Sequence, residues 1–318
     1  MLPELIVVGA ALAFLLGWNN SGVIIGSSYS SGVFSYGKSR IVIGLGVMMG
    51  ALLEGGKMSH SLFGGLTDAN ILDLHATIVL STLTISIVSL FVFSAFHIPC
   101  SLSIVTAAAF TGSILSLNIH LNTAYAAVLV VSWMLSPLAS AVLAVLVHRP
   151  LVALVSRLNL AWADLVSRLS VVLGIFFISY VLGANNVGFL NGLYVPLLHQ
   201  FPRYQLGVTL IVSISTIMGI VILGRAITEA VGEKFVVLSP QGVFASIVAS
   251  VICIWSFTQF GIPLSITHVL IGSVIGATLT KRIALFNRRI LSRIIFGAAG
   301  SALLGVAAAF AIMKMISP

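Results

Sequence analysis

Residues 98–103 read Ile-Pro-Cys-Ser-Leu-Ser, and residues 262–267 read Ile-Pro-Leu-Ser-Ile-Thr. In each hexapeptide a proline is followed by two hydroxyl side chains. Closer to the amino terminus of each copy, residues 17–22 read Gly-Trp-Asn-Asn-Ser-Gly and residues 183–188 read Gly-Ala-Asn-Asn-Val-Gly. The offset is 164 residues for the first pair and 166 for the second. Matches in the same order at a nearly constant offset indicate an internal repeat.

The composition places this repeat in a membrane. Of the 318 residues, 59% are hydrophobic and only 7% are charged, whereas a soluble domain is about one quarter charged. A membrane-spanning helix needs about 20 apolar residues. We therefore predict an all-α integral membrane protein with about ten transmembrane segments. These segments are 5–33, 39–56, 74–97, 98–118, 122–147, 169–195, 205–224, 241–260, 261–280 and 292–316.

The number of segments between the two copies determines their relative orientation. A third match, Gly56-Lys57 with Gly224-Arg225, lies between the other two at an offset of 168 residues. Five predicted crossings separate the start of one copy from the start of the next, so the second copy enters the membrane from the opposite face. We therefore predict two inverted five-segment repeats with broken helices at the midplane, an architecture typical of secondary transporters.

The basic residues predict the orientation in the cell membrane. If all ten segments cross, twelve of the 15 Lys and Arg residues fall on one side and three on the other. If segments 98–118 and 261–280 instead enter and leave on one side, the division becomes eight against seven. Because cytoplasmic loops carry an excess of Lys and Arg, we favour ten crossings with both termini outside the cytoplasm.

The repeat also suggests boundaries within the chain. Residues 150–168 carry leucines at helical spacing with charged residues between them, which indicates an amphipathic helix on the cytoplasmic surface. The predicted parts are a first inverted repeat at 1–121, a connecting span with this linker at 122–168, a second inverted repeat at 169–282 and a last span at 283–318.

The paired asparagines are the first candidate site. Asn19 and Asn20 in one copy, and Asn185 and Asn186 in the other, lie within apolar spans, where unpaired carboxamides are costly. Neighbouring glycines allow the backbone to unwind and expose its carbonyl groups. An interhelical hydrogen bond is the simpler explanation for one Asn, but the duplication favours a functional role.

The prolines and hydroxyls are the second candidate site. Proline suits the first turn of a helix, so Pro99 and Pro263 indicate helix starts, where free N–H groups attract an anion. An ordinary proline kink is the alternative. The hydroxyls that follow the prolines are Ser101, Ser103, Ser265 and Thr267, and together with Asn19 and Asn185 they are the predicted substrate-binding residues. Since the predicted spans contain no Lys or Arg, an oxyanion there would be bound by neutral donors.

The stretch 224–281 resembles the inorganic phosphate transporter (PiT) family. It contains Gly-Arg-Ala-Ile-Thr-Glu-Ala-Val-Gly-Glu-Lys and later Pro-Leu-Ser-Ile-Thr-His-Val-Leu-Ile-Gly, similar to two signatures of the family's second repeat. The resemblance implies a phosphate transporter, usually driven by Na⁺ or H⁺ and dimeric. It also implies that the Asn motifs supply cation ligands and that the hydroxyls bind phosphate. The residues matched to the motifs are Asn19, Asn185, Ser101, Ser103, Ser265, Thr267 and His268.

The departures from the family pattern leave two questions open. The family's Asp is replaced by Asn20 and Asn186, so cation binding at these positions is in doubt. The middle hydroxyl of the motif is replaced by Leu102 and Ile266, and Ile104 stands in place of a histidine. Sulfate or another oxyanion is therefore the alternative to phosphate, and uncoupled facilitated diffusion is the alternative to coupled transport.

The remaining patterns do not indicate an enzyme. Residues 32–39 fit the Walker A spacing, but they join two predicted spans and no Walker B acid follows, so a nucleotide site is set aside. The seven histidines form no metalloprotease motif. We expect no catalytic residues, no resident cofactor or metal and no nucleic-acid partner. The expected partners are an oxyanion, the lipid bilayer, Na⁺ or H⁺ as coupling ion, and a second copy of the chain.

Overall fold

The computed structural model describes residues 2–29, 36–67, 75–95, 100–198, 202–232, 239–279 and 288–316. Its helices are α1 (Leu2–Tyr29), α2 (Tyr36–Leu53), α3 (His75–Ala95), α4 (Leu102–Ser116), α5 (Thr123–Val155), α6 (Leu160–Val181), α7 (Gly188–Gly192), α8 (Val195–Leu198), α9 (Pro202–Gly232), α10 (Pro240–Gln259), α11 (Ile266–Leu279) and α12 (Arg288–Ile316). A 3-10 turn, Gly55–Met58, follows α2, and a π-helical turn, Leu182–Val187, joins α6 to α7.

The predicted all-helical membrane fold is confirmed. Among the described residues, seven helices are long and apolar enough to cross a membrane, one of them running from Leu160 to Gly192 through the π-helical turn. Three shorter apolar helices, Ser39–Leu53, Leu102–Ser116 and Ile266–Leu279, account for the remaining predicted segments. Each predicted segment therefore overlaps one of these helices. The number of crossings and the inversion of the repeats stay predictions.

Helices of the first half pack mainly against helices of the second half. Helix α1 packs along α9, while α2 packs along α6 and the π-helical turn. Likewise, α4 packs along α12 and α11 packs along α5. Each of these pairings has a counterpart in which the two halves exchange places, as two copies of one structural unit would require. The halves are therefore interleaved rather than separate bundles.

Glycines allow α1 and α9 to touch through their backbones. A Cβ atom on Gly17 would lie 1.9 Å from the carbonyl oxygen of Thr216, and one on Gly219 would lie 2.0 Å from that of Phe14. Such distances exclude any side chain at either position. Gly17 is therefore required for close packing, a role that membrane helices commonly give to small residues.

The pair α2 and α6 repeats this arrangement. A Cβ atom on Gly183 would lie 2.1 Å from the carbonyl oxygen of Val47, and one on Gly50 would lie 1.9 Å from that of Tyr180. These contacts correspond to the previous ones at offsets of 166 residues along α1 and α6 and 169 residues along α2 and α9. With the second offset, Gly224 corresponds to Gly55, one residue away from the pairing with Gly56 that the sequence indicates.

The expected interruption at residues 17–22 is wrong, because α1 is continuous through them. The Nδ2 atom of Asn20 donates to the carbonyl oxygen of Leu16 at 2.9 Å, and the Ser21 hydroxyl donates to that of Trp18 at 2.6 Å. These polar side chains are satisfied by the carbonyl groups of their own helix, so the backbone does not unwind. The corresponding segment of the second half is not unwound either, since the helix continues through it, but residues Leu182–Val187 form a π-helical turn.

The predicted amphipathic helix at 150–168 is also wrong, because this segment is divided between α5 and α6. Helix α5 ends at Val155, and α6 begins at Leu160. Asn159 accounts for the division, since its side chain accepts a hydrogen bond from the backbone N–H of Trp162 at 3.0 Å. An Asn at this position satisfies one of the free N–H groups of a new helix and so favours a helix start there.

Candidate functional site

The starts of α4 and α11 are equivalent and are capped by serines. Ser101 accepts a hydrogen bond from the N–H of Ile104 at 3.5 Å, and Ser265 accepts one from the N–H of His268 at 3.4 Å. Pro263 therefore lies two residues before the cap, so its predicted place in the first helical turn is wrong. Pro99 lies outside the described residues. A capping hydroxyl keeps its own proton, so both serines can still donate to an anion.

Side chains from several elements donate hydrogen bonds to the backbone carbonyl oxygens of the loop before α11. The carbonyl oxygen of Gly261 accepts from Ser61 Oγ at 2.7 Å and from Tyr125 OH at 3.0 Å. The carbonyl oxygen of Pro263 accepts from Trp133 Nε1 at 2.7 Å. None of these three donors was predicted from the sequence. Trp and Tyr in an apolar span need hydrogen-bond partners for their polar atoms, and this requirement could have indicated Trp133 and Tyr125.

Asn185 holds the same loop with both ends of its carboxamide. Its Oδ1 accepts from the N–H of Leu264 at 3.0 Å. Its Nδ2 donates to Thr258 Oγ1 at 2.8 Å and to the carbonyl oxygen of Ile262 at 3.2 Å. The equivalent Asn19 donates to the carbonyl oxygen of Cys100, just before α4, at 3.0 Å. In this structure the first Asn of each pair thus holds the loop before the short helix of its own half.

The second Asn of the second half takes part in a contact between the halves, which we call the crossing contact. Asn186 Nδ2 donates to Ser103 Oγ at 2.9 Å and to the carbonyl oxygen of Leu264 at 3.4 Å. Ser103 Oγ in turn donates to the same carbonyl oxygen at 3.0 Å. Asn186 Oδ1 is buried and has no hydrogen-bond partner in the part of the chain that the structure describes. The crossing contact brings the start of α4 to the start of α11.

Thr267 lies two residues after Ser265, the cap of α11, just as Ser103 lies two residues after Ser101. Its side chain is partly buried, and no hydrogen bond joins its hydroxyl to any residue the structure describes. The neighbouring His268 is buried, with 6% of its surface exposed. The predicted hydroxyls therefore converge where α4 and α11 begin, and the Thr267 hydroxyl, like those of the two capping serines, is available to donate.

The donors gathered at this centre are hydroxyls, carboxamides and helix N–H groups. Within the described ranges, no group of three or more His, Cys, Asp or Glu side chains could hold a metal ion. Helix starts carry a partial positive charge, and oriented neutral donors can replace the hydration of an anion. The arrangement is chemically suited to a small oxyanion that must be bound and then released.

Glu54 organises a second cluster, beside the 3-10 turn that packs on α7. Its Oε1 accepts from Tyr180 OH at 2.9 Å and from Trp255 Nε1 at 3.2 Å, and its Oε2 accepts from Gln259 Nε2 at 2.8 Å and from Lys57 Nζ at 3.3 Å. Lys57 also donates to Gln259 Oε1. The Glu54 carboxylate therefore holds four side chains from different elements together.

This cluster makes stability depend on the Glu54 carboxylate, which accepts from four side chains. A carboxamide has one oxygen acceptor and two N–H donors, so at least one of the four donors would lose its partner. We expect Glu54→Gln to lower the melting temperature in detergent. The matched control is Asp164→Asn, which removes an exposed ion pair with Arg168 and should change little. Equal melting temperatures for Glu54→Gln and wild type would contradict this role of Glu54.

Comparison with known proteins identifies the family that this chain resembles. Residues 159–313 match the model of the phosphate transporter family. A protein of Methanocaldococcus jannaschii, provisionally named a phosphate permease, is 24% identical over 313 residues, covering 98% of this chain and 96% of the relative. A protein of Chlamydia muridarum with the same provisional name is 32% identical over 79 residues, covering 25% of this chain and 18% of the relative.

A solved structure described as the sodium-dependent phosphate transporter has the same fold. It superposes with a TM-score of 0.83 at 16% sequence identity and covers 98% of both chains. The resemblance that the motifs indicate is therefore confirmed. The family that residues 159–313 match is a transporter family. The seven long apolar helices are those of a multi-pass membrane protein.

Proposed function

Because residues 159–313 match the phosphate transporter family, we propose that this protein is a secondary transporter that moves inorganic phosphate across the cell membrane by alternating access. The observation that carries the proposal is the meeting of two serine-capped helix starts, from different halves, at the crossing contact. The proposed substrate site lies there and includes Ser101, Ser103, Ser265 and Thr267.

The chemistry of these donors suits transport. A phosphate ion between two helix starts would accept hydrogen bonds from backbone N–H groups and hydroxyls, and both helix dipoles would favour its negative charge. A lysine or arginine at the centre would bind phosphate more tightly and slow its release. Neutral donors instead leave the binding free energy modest, which is what a transporter that must release its substrate needs.

Asn186 favours an uncoupled transporter as the second candidate. Asn186 Nδ2 donates directly to the carbonyl oxygen of Leu264. An aspartate at this position has no proton to donate and would need a cation between its carboxylate and that oxygen. The amide of Asn186 thus makes the link that a coupling ion would otherwise make. The sodium dependence in the description of the solved neighbour supports the opposite candidate, Na⁺ coupling.

The protein is further proposed to have both termini outside the cytoplasm and to form a homodimer. Twelve basic residues on one side of the predicted topology support extracytoplasmic termini, and the resemblance supports a homodimer. Sulfate is the alternative substrate, because replacement of the middle motif hydroxyls by Leu102 and Ile266 removes two donors.

Uptake of labelled phosphate into proteoliposomes tests the function and the coupling together. We expect uptake that arsenate inhibits more strongly than sulfate or molybdate does, because arsenate has the same shape and ionisation as phosphate. The measurement is repeated with and without inward Na⁺ and pH gradients. Stimulation by one gradient identifies the coupling ion and defeats the uncoupled candidate. Stronger inhibition by sulfate than by arsenate would contradict phosphate as the substrate.

A further inference from the structure

The two halves differ at residues that the repeat makes equivalent. With the offsets of 164 and 166 residues, the counterparts of Ser103, Leu264 and Asn186 are Thr267, Cys100 and Asn20. The crossing contact joins the first set across the halves. A contact among Thr267, Cys100 and Asn20 would be its mirror image, and we call this the counterpart contact.

The counterpart contact is not formed in this structure. Asn20 Nδ2 donates instead to the carbonyl oxygen of Leu16, four residues earlier in its own helix. The Thr267 hydroxyl has no hydrogen bond to a described residue, and the carbonyl oxygen of Cys100 accepts from Asn19. The residues needed for the second contact are thus present, with Asn20 bonded within its own helix and the carbonyl oxygen of Cys100 bonded to Asn19.

The backbone differs between the halves at the same place. Residues 182–187, which contain Asn186, form a π-helical turn, whereas the equivalent residues 16–21 are α-helical. A π turn contains an extra residue, which rotates the following side chains by about 100° relative to an α-helix. In an α-helical arrangement Asn186 would face the carbonyl oxygen of Leu182, the equivalent of Leu16. The form of the helix therefore determines whether the Asn side chain bonds locally or across the halves.

We propose that the crossing contact and the counterpart contact exchange during transport. In the other state, residues 16–21 adopt the π turn and Asn20 joins Thr267 and the carbonyl oxygen of Cys100. Residues 182–187 then return to the α form, and Asn186 bonds to Leu182. This inference rests on the proposed function, and it specifies which side chains close each side of the substrate site.

The exchange meets the thermodynamic requirement of a two-state transporter. Each state has one crossing contact, one π turn and one locally bonded Asn, so the two states contain the same kinds of interaction. Their free energies are therefore close, and a phosphate gradient can shift the population between them. Forming both contacts at once would close both faces, so alternation requires that one opens as the other forms.

Disulfide crosslinking in a background with Cys100→Ala and Cys253→Ala tests the exchange. One variant carries Ser103→Cys with Asn186→Cys, and the other carries Asn20→Cys with Thr267→Cys. The control, Ser81→Cys with Ser113→Cys, pairs two hydroxyls that lie 3.2 Å apart within the first half. Reversing the phosphate gradient should raise one crosslink and lower the other while the control crosslink stays constant. Because each test pair removes a hydroxyl of the proposed substrate site, uptake is already reduced under reducing conditions, and oxidation should abolish what remains.

The outcomes separate this inference from the transport function. If the Cys100→Ala, Cys253→Ala background takes up phosphate normally but the Asn20→Cys and Thr267→Cys pair never crosslinks, the exchange is wrong and the function stands. If the two crosslinks alternate but phosphate does not move, the assigned substrate is wrong and the exchange stands. Should the cysteine variants fail to fold, amide hydrogen exchange on Ser103→Ala and Thr267→Val supplies the test. These variants should shift protection of residues 16–21 and 182–187 in opposite directions, and parallel shifts would overturn the exchange.

Discussion

Phosphate uptake is expected to fall roughly 10- to 100-fold when Thr267 is replaced by valine, which keeps the shape of the side chain but removes its hydroxyl. A hydrogen bond to a charged group contributes about 1.5–3 kcal/mol, and each 1.4 kcal/mol is about a factor of ten in an equilibrium. The Thr267 hydroxyl has no partner among the described residues, so its removal leaves no protein group unsatisfied. The fold should therefore tolerate the change, and initial uptake rates in proteoliposomes measure the loss.

Thr111→Val is the matched control for this substitution. Thr111 is also partly buried and also lies on a short helix, but its Oγ1 donates to the carbonyl oxygen of Ala107 in the same helix at 2.8 Å. We expect uptake close to wild type and a small change in melting temperature. Equal uptake by Thr267→Val and wild type, at equal protein amounts, would remove Thr267 from the substrate site.

Gly219→Ala is expected to have the largest effect on stability, lowering the free energy of unfolding by about 3 kcal/mol, the upper part of the range for overpacking. The added methyl group would lie 2.0 Å from the carbonyl oxygen of Phe14. This oxygen belongs to the backbone of α1 and cannot move aside as a side-chain end can, so the two helices must separate. Thermal unfolding in detergent, followed by loss of the monodisperse peak, measures the effect.

The control for this prediction lies on the same helix. Gly207 has no atom within 4 Å of the position that a Cβ atom would occupy. Gly207→Ala should therefore only improve helix propensity, by up to about 1 kcal/mol. If Gly219→Ala and Gly207→Ala proved equally stable, the backbone contact between α1 and α9 would be wrong.

The membrane helices could be predicted because their signal is local. A run of about 20 apolar residues has few alternatives to a helix in lipid, and every predicted segment overlaps one helix of the structure. The partners of these helices could not be predicted in the same way. Nothing near Gly17 in the sequence indicates that it touches Thr216, because that contact depends on how two distant segments cross.

For the candidate site, the sequence predicts which residues come together but not which hydrogen bonds they form. Duplication selected residues that the fold brings together, since Asn186, Ser103 and Thr267 lie where α4 and α11 begin. It could not assign the bonds, because Asn185 and Asn186 are adjacent and chemically identical. The first holds a loop and the second crosses to the other half. The π-helical turn determines in which direction each of the two Asn side chains points. The amino-acid composition of this segment does not predict a π-helical turn.

The interleaved helices also constrain how the chain is made. Thr216 follows Gly17 by 199 residues, and at 5–20 residues per second the ribosome needs roughly 10–40 s to synthesise that interval. During this time α1 has been inserted but its partner α9 does not yet exist. The helices of the first half are therefore in the bilayer before the helices of the second half against which they pack. The assembly of the first half becomes complete only when the last helices are inserted, so quality control in the membrane has to tolerate an unfinished protein until synthesis ends.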